Sequence, residues 1–206
     1  MTRHTLLPGL IFLAVSTFGQ TQEISKPPSA PTRKSEMIDR KNKECVHRLR
    51  FNLTQRLQFY PFNRAMQIKA VSFDNKPDSN GVTVPNGRLP TNNDTIDYSQ
   101  LDEIKILTRR QIESLTDILY NTGFKKQPMT ESESCYNPRN AVLFIDSAGK
   151  TFAFIELCFQ CGGHRESSAE VKTGDFCSDK YDLLKNYFAG LGIKIGISKG
   201  IGLIMH

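Results

Sequence analysis

Two apolar segments on either side of a short polar turn constrain the fold more than any other feature of this chain. Residues 141–145 and 151–159 are rich in aromatic and β-branched side chains, which favour strands. Between them, Gly149 stands where a short hairpin loop needs a left-handed backbone. The pattern predicts an antiparallel hairpin over residues 140–159. Because both faces of its strands are apolar, we expect the hairpin at the centre of a sheet that is covered on both sides.

The register of this hairpin follows from its turn. If Asp146 faces Lys150, the numbers of paired residues sum to 296. The pairs of interest are then Phe144 with Phe152, Val142 with Phe154, Asn140 with Glu156, and Cys135 with Cys161. A carboxylate at Glu156, among apolar residues, needs a polar partner. The sequence offers two candidates for that partner, Arg139 and Arg165.

Periodic apolar residues predict further elements before the hairpin. Residues 66–73 alternate as a strand does, and residues 104–106 form a second short strand. That strand leads into a helix capped by Thr108, with Gln111 three residues later, which is a capping-box pattern. We expect Gly123 to end this helix.

The fold class follows from adding the remaining segments. A helix is predicted after Asp175 and a last strand over residues 193–197. Residues 35–59 fit a helix and a strand almost equally well, and we favour a helix that ends at Pro61. These elements predict a single α+β domain, with an antiparallel or mixed sheet centred on the hairpin and helices packed on it.

The N-terminal residues are typical of a signal peptide. Residues 1–19 combine a short basic start, an apolar stretch too short to span a bilayer, and small residues at the end. Residues 20–34 have the Pro- and Ser-rich composition of a flexible linker, and residues 35–206 form the domain. We therefore expect export to the periplasm or the medium, and no membrane span once the signal is removed.

Positive charge is concentrated just after the linker. Residues 32–56 hold eight Lys and Arg against three Asp and Glu, whereas residues 57–206 carry 17 of each sign. Such a segment can contact an acidic surface partner, or it is the solvated face of a helix. Export argues against a nucleic-acid partner.

Four of the five cysteines lie in the C-terminal part of the chain, at Cys135, Cys158, Cys161 and Cys177. In an oxidising compartment disulfides are the default expectation. The hairpin register pairs Cys135 with Cys161, which leaves Cys158 to pair with Cys177. Cys45 is then the free thiol.

Two other chemistries stay open for the same residues. Cys158 and Cys161, followed by glycines, are similar to a zinc knuckle that His164, together with Cys177 or Cys135, would complete. The same two cysteines could form a redox pair, although they follow a strand instead of opening a helix, where the helix dipole would activate a thiol. Our interpretation is disulfides without a cofactor, with zinc as the alternative.

Several strings resemble a family of exported bacterial proteins to which no activity is assigned. They are IKIL at 104–107, ILYNTG at 118–123, CYNPRN at 135–140, IELCFQC at 155–161 and KYDLLK at 180–185. The resemblance covers roughly residues 60–196 and is most specific in the cysteine strings. It implies a compact secreted or periplasmic domain and brings no catalytic residue with it.

The sequence favours binding over catalysis, without deciding between them. It contains no nucleophile elbow, phosphate loop or metalloprotease spacing. The interpretation is an exported, disulfide-stabilised binding domain; the alternative is a thiol oxidoreductase or zinc protein that uses Cys158 and Cys161. A binding site is expected at the open end of the hairpin, and its candidate residues are Arg139, Glu156, His164 and Arg165. If His164 does not bind, we expect it to be exposed on a loop.

Overall fold

The computed structural model describes residues 31–74, 87–128 and 136–197. In these residues, helices α1–α4 span Arg33–Asn42, Leu53–Arg56, Arg109–Asn121 and Ser178–Gly190. Strands β1–β9 span Cys45–His47, Gln67–Ser72, Thr91–Asn92, Thr95–Ile96, Glu103–Ile106, Thr122–Phe124, Asn140–Ile145, Thr151–Cys158 and Gly163–Glu166. The domain is α+β, as predicted.

The main sheet has five antiparallel strands in the order β5-β2-β7-β8-β9. The hairpin β7–β8 lies inside this sheet, and every residue of β7 is buried. One face packs against a core that includes Leu115 and Leu119 of α3 and Leu184 and Phe188 of α4. The other face packs against residues from the segment 89–101. The central, doubly covered hairpin is therefore confirmed.

The predicted register of the hairpin is wrong by one residue beyond its turn. Ile145 faces Thr151, as the turn requires, but Phe144 faces Ala153. Phe152 is thus the extra residue of a β-bulge, which shifts every later pair. As a result Glu156 faces Ala141 and not Asn140.

The segment 35–59 is not one helix. α1 ends where Lys43 closes its last turn, and β1 then pairs with β6. A new capping box formed by Asn52 and Gln55 starts the short helix α2. The apolar residues of this segment serve three short elements, which is why the sequence pattern fitted two periodicities at once.

Two smaller expectations also change. The capping box of Thr108 and Gln111 is confirmed at the start of α3, but Gly123 lies inside β6 because α3 runs directly into that strand. Residues 193–197 form turns and no strand. Ile193 is nevertheless buried in the helix-side core, so this segment is fixed by packing instead of sheet pairing.

The disulfide pattern differs from the predicted one. Cys45 is bonded to Cys177, and Cys158 is a buried free thiol. Both the expected Cys158–Cys177 bond and the free Cys45 are therefore wrong. Cys161 is disulfide-bonded, as predicted, while its expected partner Cys135 lies outside the described residues. Strand β1, which begins at Cys45, pairs with β6, which is distant in sequence. This pairing places Cys45 near the start of α4. Cysteine spacing alone could not predict it.

The predicted signal peptide and most of the linker lie outside the described residues. α1 begins at Arg33, within the last two residues assigned to the linker. Across the described part of the chain, no helix has the length and apolar character needed to cross a membrane.

The Cys45–Cys177 bond can be tested by its effect on stability. The bond joins residues 132 positions apart, so it strongly restricts the unfolded chain. Replacing both cysteines with alanine should lower the free energy of unfolding by about 2–5 kcal/mol, measured by denaturant titration. Peptide mapping without reductant should recover Cys45 linked to Cys177 and Cys158 as a thiol. A peptide linking Cys158 to Cys177 would contradict this assignment.

Candidate functional site

The residues expected to form one site at the end of the hairpin lie on two faces of the sheet. The glycine-rich segment after Cys158 is not a loop but a tight turn followed by strand β9. Successive strand residues point to opposite faces. Arg165 therefore joins Glu156 on one face, while His164 and Glu166 reach the helices on the other.

Glu156 is the centre of a buried polar cluster. Its side chain is fully buried, and its Oε2 atom accepts hydrogen bonds from Arg165 Nε at 2.6 Å and from the Tyr136 hydroxyl at 2.8 Å. Its Oε1 atom accepts a hydrogen bond from the backbone N–H of Leu89. The Arg165 guanidinium also lies over the ring of Phe154 at 5.0 Å. Each carboxylate oxygen has a donor, so this cluster has the properties of a structural ion pair.

The pKa shifts in this cluster agree with that role. The hydrogen bond to Glu156 raises the pKa of Arg165, although burial opposes the shift. Burial, together with the neighbouring Glu156 charge, raises the pKa of Tyr136 far above its ordinary value. Both partners of Glu156 therefore keep their protons at any physiological pH.

Arg139 does not join the cluster. Its guanidinium lies 3.7 Å from Asp74, and both side chains are roughly half exposed. The next residue, Asn140, is buried and donates a hydrogen bond to the carbonyl of Ile195. Of the two arginines considered for Glu156, the structure selects Arg165.

His164 lies in a groove on the helix side of the sheet. Its ring stacks on Phe176 with a centroid distance of 3.6 Å, and its Nδ1 atom is 2.8 Å from the Tyr181 hydroxyl. Its Nε2 atom is 3.4 Å from Glu166, and the side chain is only 22% exposed. The expectation of an exposed loop histidine is therefore wrong, because β9 pairs with β8 and carries His164 under the start of α4.

Glu166 fixes one side of this histidine. Burial alone would raise its pKa, but hydrogen bonds from His164 and Thr173 and the histidine charge lower the pKa of Glu166 overall. The Thr173 hydroxyl donates to Glu166 at 2.6 Å. Glu166 therefore holds the Nε2 side of the ring while the Tyr181 hydroxyl holds the Nδ1 side, which fixes the orientation of His164.

The groove around His164 has a volume of about 710 Å³. Aromatic walls from Phe176 and Tyr181 alternate with polar groups that include the exposed carboxylates Asp175 and Asp182. The single lysine among its described lining residues, Lys43, is paired with Asp39 at 2.9 Å. The groove therefore combines ordered aromatic rings with two exposed carboxylates, of which Asp175 is opposed by the buried Lys180.

Lys180 lies behind the groove and was missed by the sequence analysis. It is fully buried, and its Nζ atom donates hydrogen bonds to the carbonyls of Leu119 at 2.7 Å and Thr173 at 3.3 Å. Burial lowers its pKa to about 7, although Asp175 acts in the opposite direction. Its spacing of four from Leu184 and of eight from Phe188 is the signal that could have placed it on the inward face of α4.

The cysteines considered for metal or redox chemistry are in different states. Cys158 is buried on β8, and its sulfur accepts a hydrogen bond from the N–H of Asn137 at 3.4 Å. Cys161 and Cys177 are both disulfide-bonded, so neither offers a thiolate to a metal ion in this state. Among the described residues, no three His, Cys, Asp or Glu side chains are grouped as metal ligands.

Comparisons with protein-family models, with curated proteins and with solved structures found no match. The groove of His164 is the feature of the described domain that contains a sequence-predicted site residue and has room for a ligand. Its function is therefore inferred from the chemistry of its own walls.

The structural role of Glu156 predicts a large loss of stability on neutralisation. In Glu156→Gln the partly exposed Arg165 guanidinium would lose its charged hydrogen-bond acceptor, and the free energy of unfolding should fall by about 1.5–3 kcal/mol. Glu170→Gln, which changes an exposed glutamate of the same region, is the matched control and should change stability by less than about 0.5 kcal/mol. Equal stability of the two variants in a denaturant titration would refute the structural assignment.

The lowered pKa of Lys180 predicts a pH-dependent stability. Above pH 7 the unfolded chain holds this proton more tightly than the folded chain does, so the free energy of unfolding should rise with pH. Relative to Lys180→Met, the wild type should gain roughly 2–3 kcal/mol between pH 7 and about pH 9.5. Lys126→Met, at an exposed lysine, should show no such difference. A pH-independent difference for Lys180→Met would show that this lysine stays charged when buried.

Proposed function

We propose that this chain is an exported, disulfide-stabilised binding domain that acts without catalysis and holds its ligand in the groove of His164. The observation that carries the proposal is the groove itself, whose aromatic and polar side chains are already fixed by contacts with each other. The Cys45–Cys177 bond supports export, because such bonds persist in oxidising compartments.

The walls of the groove favour a ligand that enters an already ordered site. His164 is held from three directions, by Phe176, Tyr181 and Glu166. Tyr181 is likewise in contact with the ring of Phe176 at 5.1 Å. Side chains that are immobile before binding lose little entropy when a ligand contacts them. The groove therefore has the preorganisation of a binding site.

The charge of the groove selects the class of ligand. Asp182 makes no ion pair with any described residue, and the charge that acts on Asp175 is that of the buried Lys180. Two exposed carboxylates favour cationic groups because of their charge, and the aromatic rings beside them supply apolar contact surface for the stem of a Lys or Arg side chain. We propose an extended peptide segment that carries Lys or Arg as the ligand.

The proposal is tested with labelled hexapeptides that contain arginine, compared with their glutamate counterparts, by fluorescence anisotropy. The arginine peptides should bind more tightly, and Asp182→Asn should weaken them about threefold, as expected for an exposed ion pair. Asp179→Asn removes the same charge from the same turn of α4 without altering the groove lining, so it should have little effect.

Two results would contradict the proposal. Equal weakening by Asp179→Asn and Asp182→Asn would show attraction by the general field of the domain and no binding in the groove. A chemically altered peptide, found by mass spectrometry after incubation, would replace the binding role with catalysis.

A further inference from the structure

A second, smaller cavity shares Gly174 and Asp175 with the groove of His164. Its volume is about 240 Å³. Three aromatic rings contribute to its wall: Phe51 and Phe59 meet edge to face at 5.1 Å, and Phe59 lies 4.6 Å from Tyr120. The rings are fixed in the helix-side core, so this wall is rigid and apolar.

Three cations line the same cavity, and no acidic side chain among the described residues forms an ion pair with them. Arg48 donates to the carbonyls of Phe124 at 3.2 Å and Lys125 at 2.8 Å, which hold its guanidinium in place without cancelling its charge. Arg50 makes no side-chain hydrogen bond or ion pair with any described residue. Lys172 donates from Nζ to the carbonyl of Ala169 at 3.1 Å.

The balance of charge in the cavity is positive. Among its described lining residues the one carboxylate is Asp175, against the three cations, which gives a formal charge of +2. Arg48 and Arg50 belong to the basic segment 32–56, whose charge the sequence analysis could assign only to an unspecified acidic partner or to a solvated helix face. The structure places both residues in an extended segment between β1 and α2, with their side chains at an aromatic cavity.

We propose that this cavity binds a small aromatic anion, a single ring that carries a carboxylate or a phosphate. The ring lies against Phe51, Phe59 and Tyr120, and the anionic group accepts hydrogen bonds from Arg48, Arg50 and Lys172. A cavity of about 150 Å³ accommodates benzene in other proteins, so the space here suffices for a ring and its charged substituent. Arginine is suited to both anions because its fork of donors can form two parallel hydrogen bonds to a carboxylate or to a phosphate.

This site is independent of the groove of His164, because it favours the opposite charge. The Arg50 side chain is exposed and makes no hydrogen bond or ion pair with any described residue, so its replacement tests the site with little expected effect on stability. Arg110 on α3 is the matched control. It is also exposed, its side chain has no partner among the described residues, and it does not line the cavity.

The experiment measures binding of phenyl phosphate and benzoate to the full chain by ligand-observed NMR and calorimetry. Phenol and inorganic phosphate, which each carry only half of the proposed ligand chemistry, should bind at least tenfold more weakly than phenyl phosphate. Arg50→Gln should weaken phenyl phosphate about tenfold, as expected for the loss of a charge-assisted hydrogen bond. Arg110→Gln, with the same change in net charge, should stay within twofold of wild type.

Three results would overturn the proposal. Equal weakening by the two arginine variants would mean attraction by net charge alone. Inorganic phosphate that binds as well as phenyl phosphate would mean that the aromatic wall contributes nothing. Absence of binding for both aromatic anions at millimolar concentration, in protein with a native melting transition, would mean that the cavity is not a site for this class of ligand.

Discussion

The bond between Cys45 and Cys177 is the constraint on which both cavities depend. It links the middle of the basic segment 32–56 to Cys177, the N-cap residue of α4. Each cavity takes its walls from chain on the two sides of this link. Arg48 and Arg50 follow Cys45 closely, whereas Gly174 and Asp175 shortly precede Cys177. No strand pairing joins these two parts of the chain directly, since β1 pairs with β6. Besides the covalent link, the walls are joined by hydrogen bonds from the Lys172 N–H to the Tyr60 carbonyl and from the Tyr120 hydroxyl to the Lys172 carbonyl.

The parts of the fold that the sequence predicts well are those that depend on local chemistry. The capping box at Thr108, the alternation in β2 and the turn around Gly149 each follow from residues within one or two turns of chain. The errors come from long-range or single-residue effects. The bulge at Phe152 leaves no mark in the hydrophobic pattern, because both faces of the hairpin are apolar and a shift by one residue still buries apolar side chains. The partner of Cys45 depends on a strand pairing with β6, more than 70 residues away along the chain.

The candidate site was predicted in part, for a related reason. The sequence brought Glu156, His164 and Arg165 to one end of the hairpin, and the structure places them there. It could not assign them to faces, because the glycine pair suggested a loop, and a loop has no fixed alternation. Once Gly163 begins β9, alternation sends Arg165 to the buried carboxylate and His164 to the groove. One arginine is therefore needed for stability, while the histidine beside it is available for contact with a ligand.

Gly174 explains how two cavities of opposite charge lie so close together. Its φ angle is +67°, and a Cβ atom at this position would lie 2.7 Å from the carbonyl oxygen of Leu119. Only glycine lets the chain pass so near the end of α3. At this close approach the carbonyl oxygens of Leu119 and Thr173 accept hydrogen bonds from the buried Lys180. Lys180 therefore links the end of α3 to the segment that contains Gly174. Gly174 and Asp175 form a wall that the two cavities share. The Asp175 carboxylate lies beside the groove of His164, whereas Arg48 and Arg50 line the other cavity. A buried lysine with two carbonyl partners therefore supports the boundary between a groove lined by carboxylates and a cavity lined by guanidinium groups.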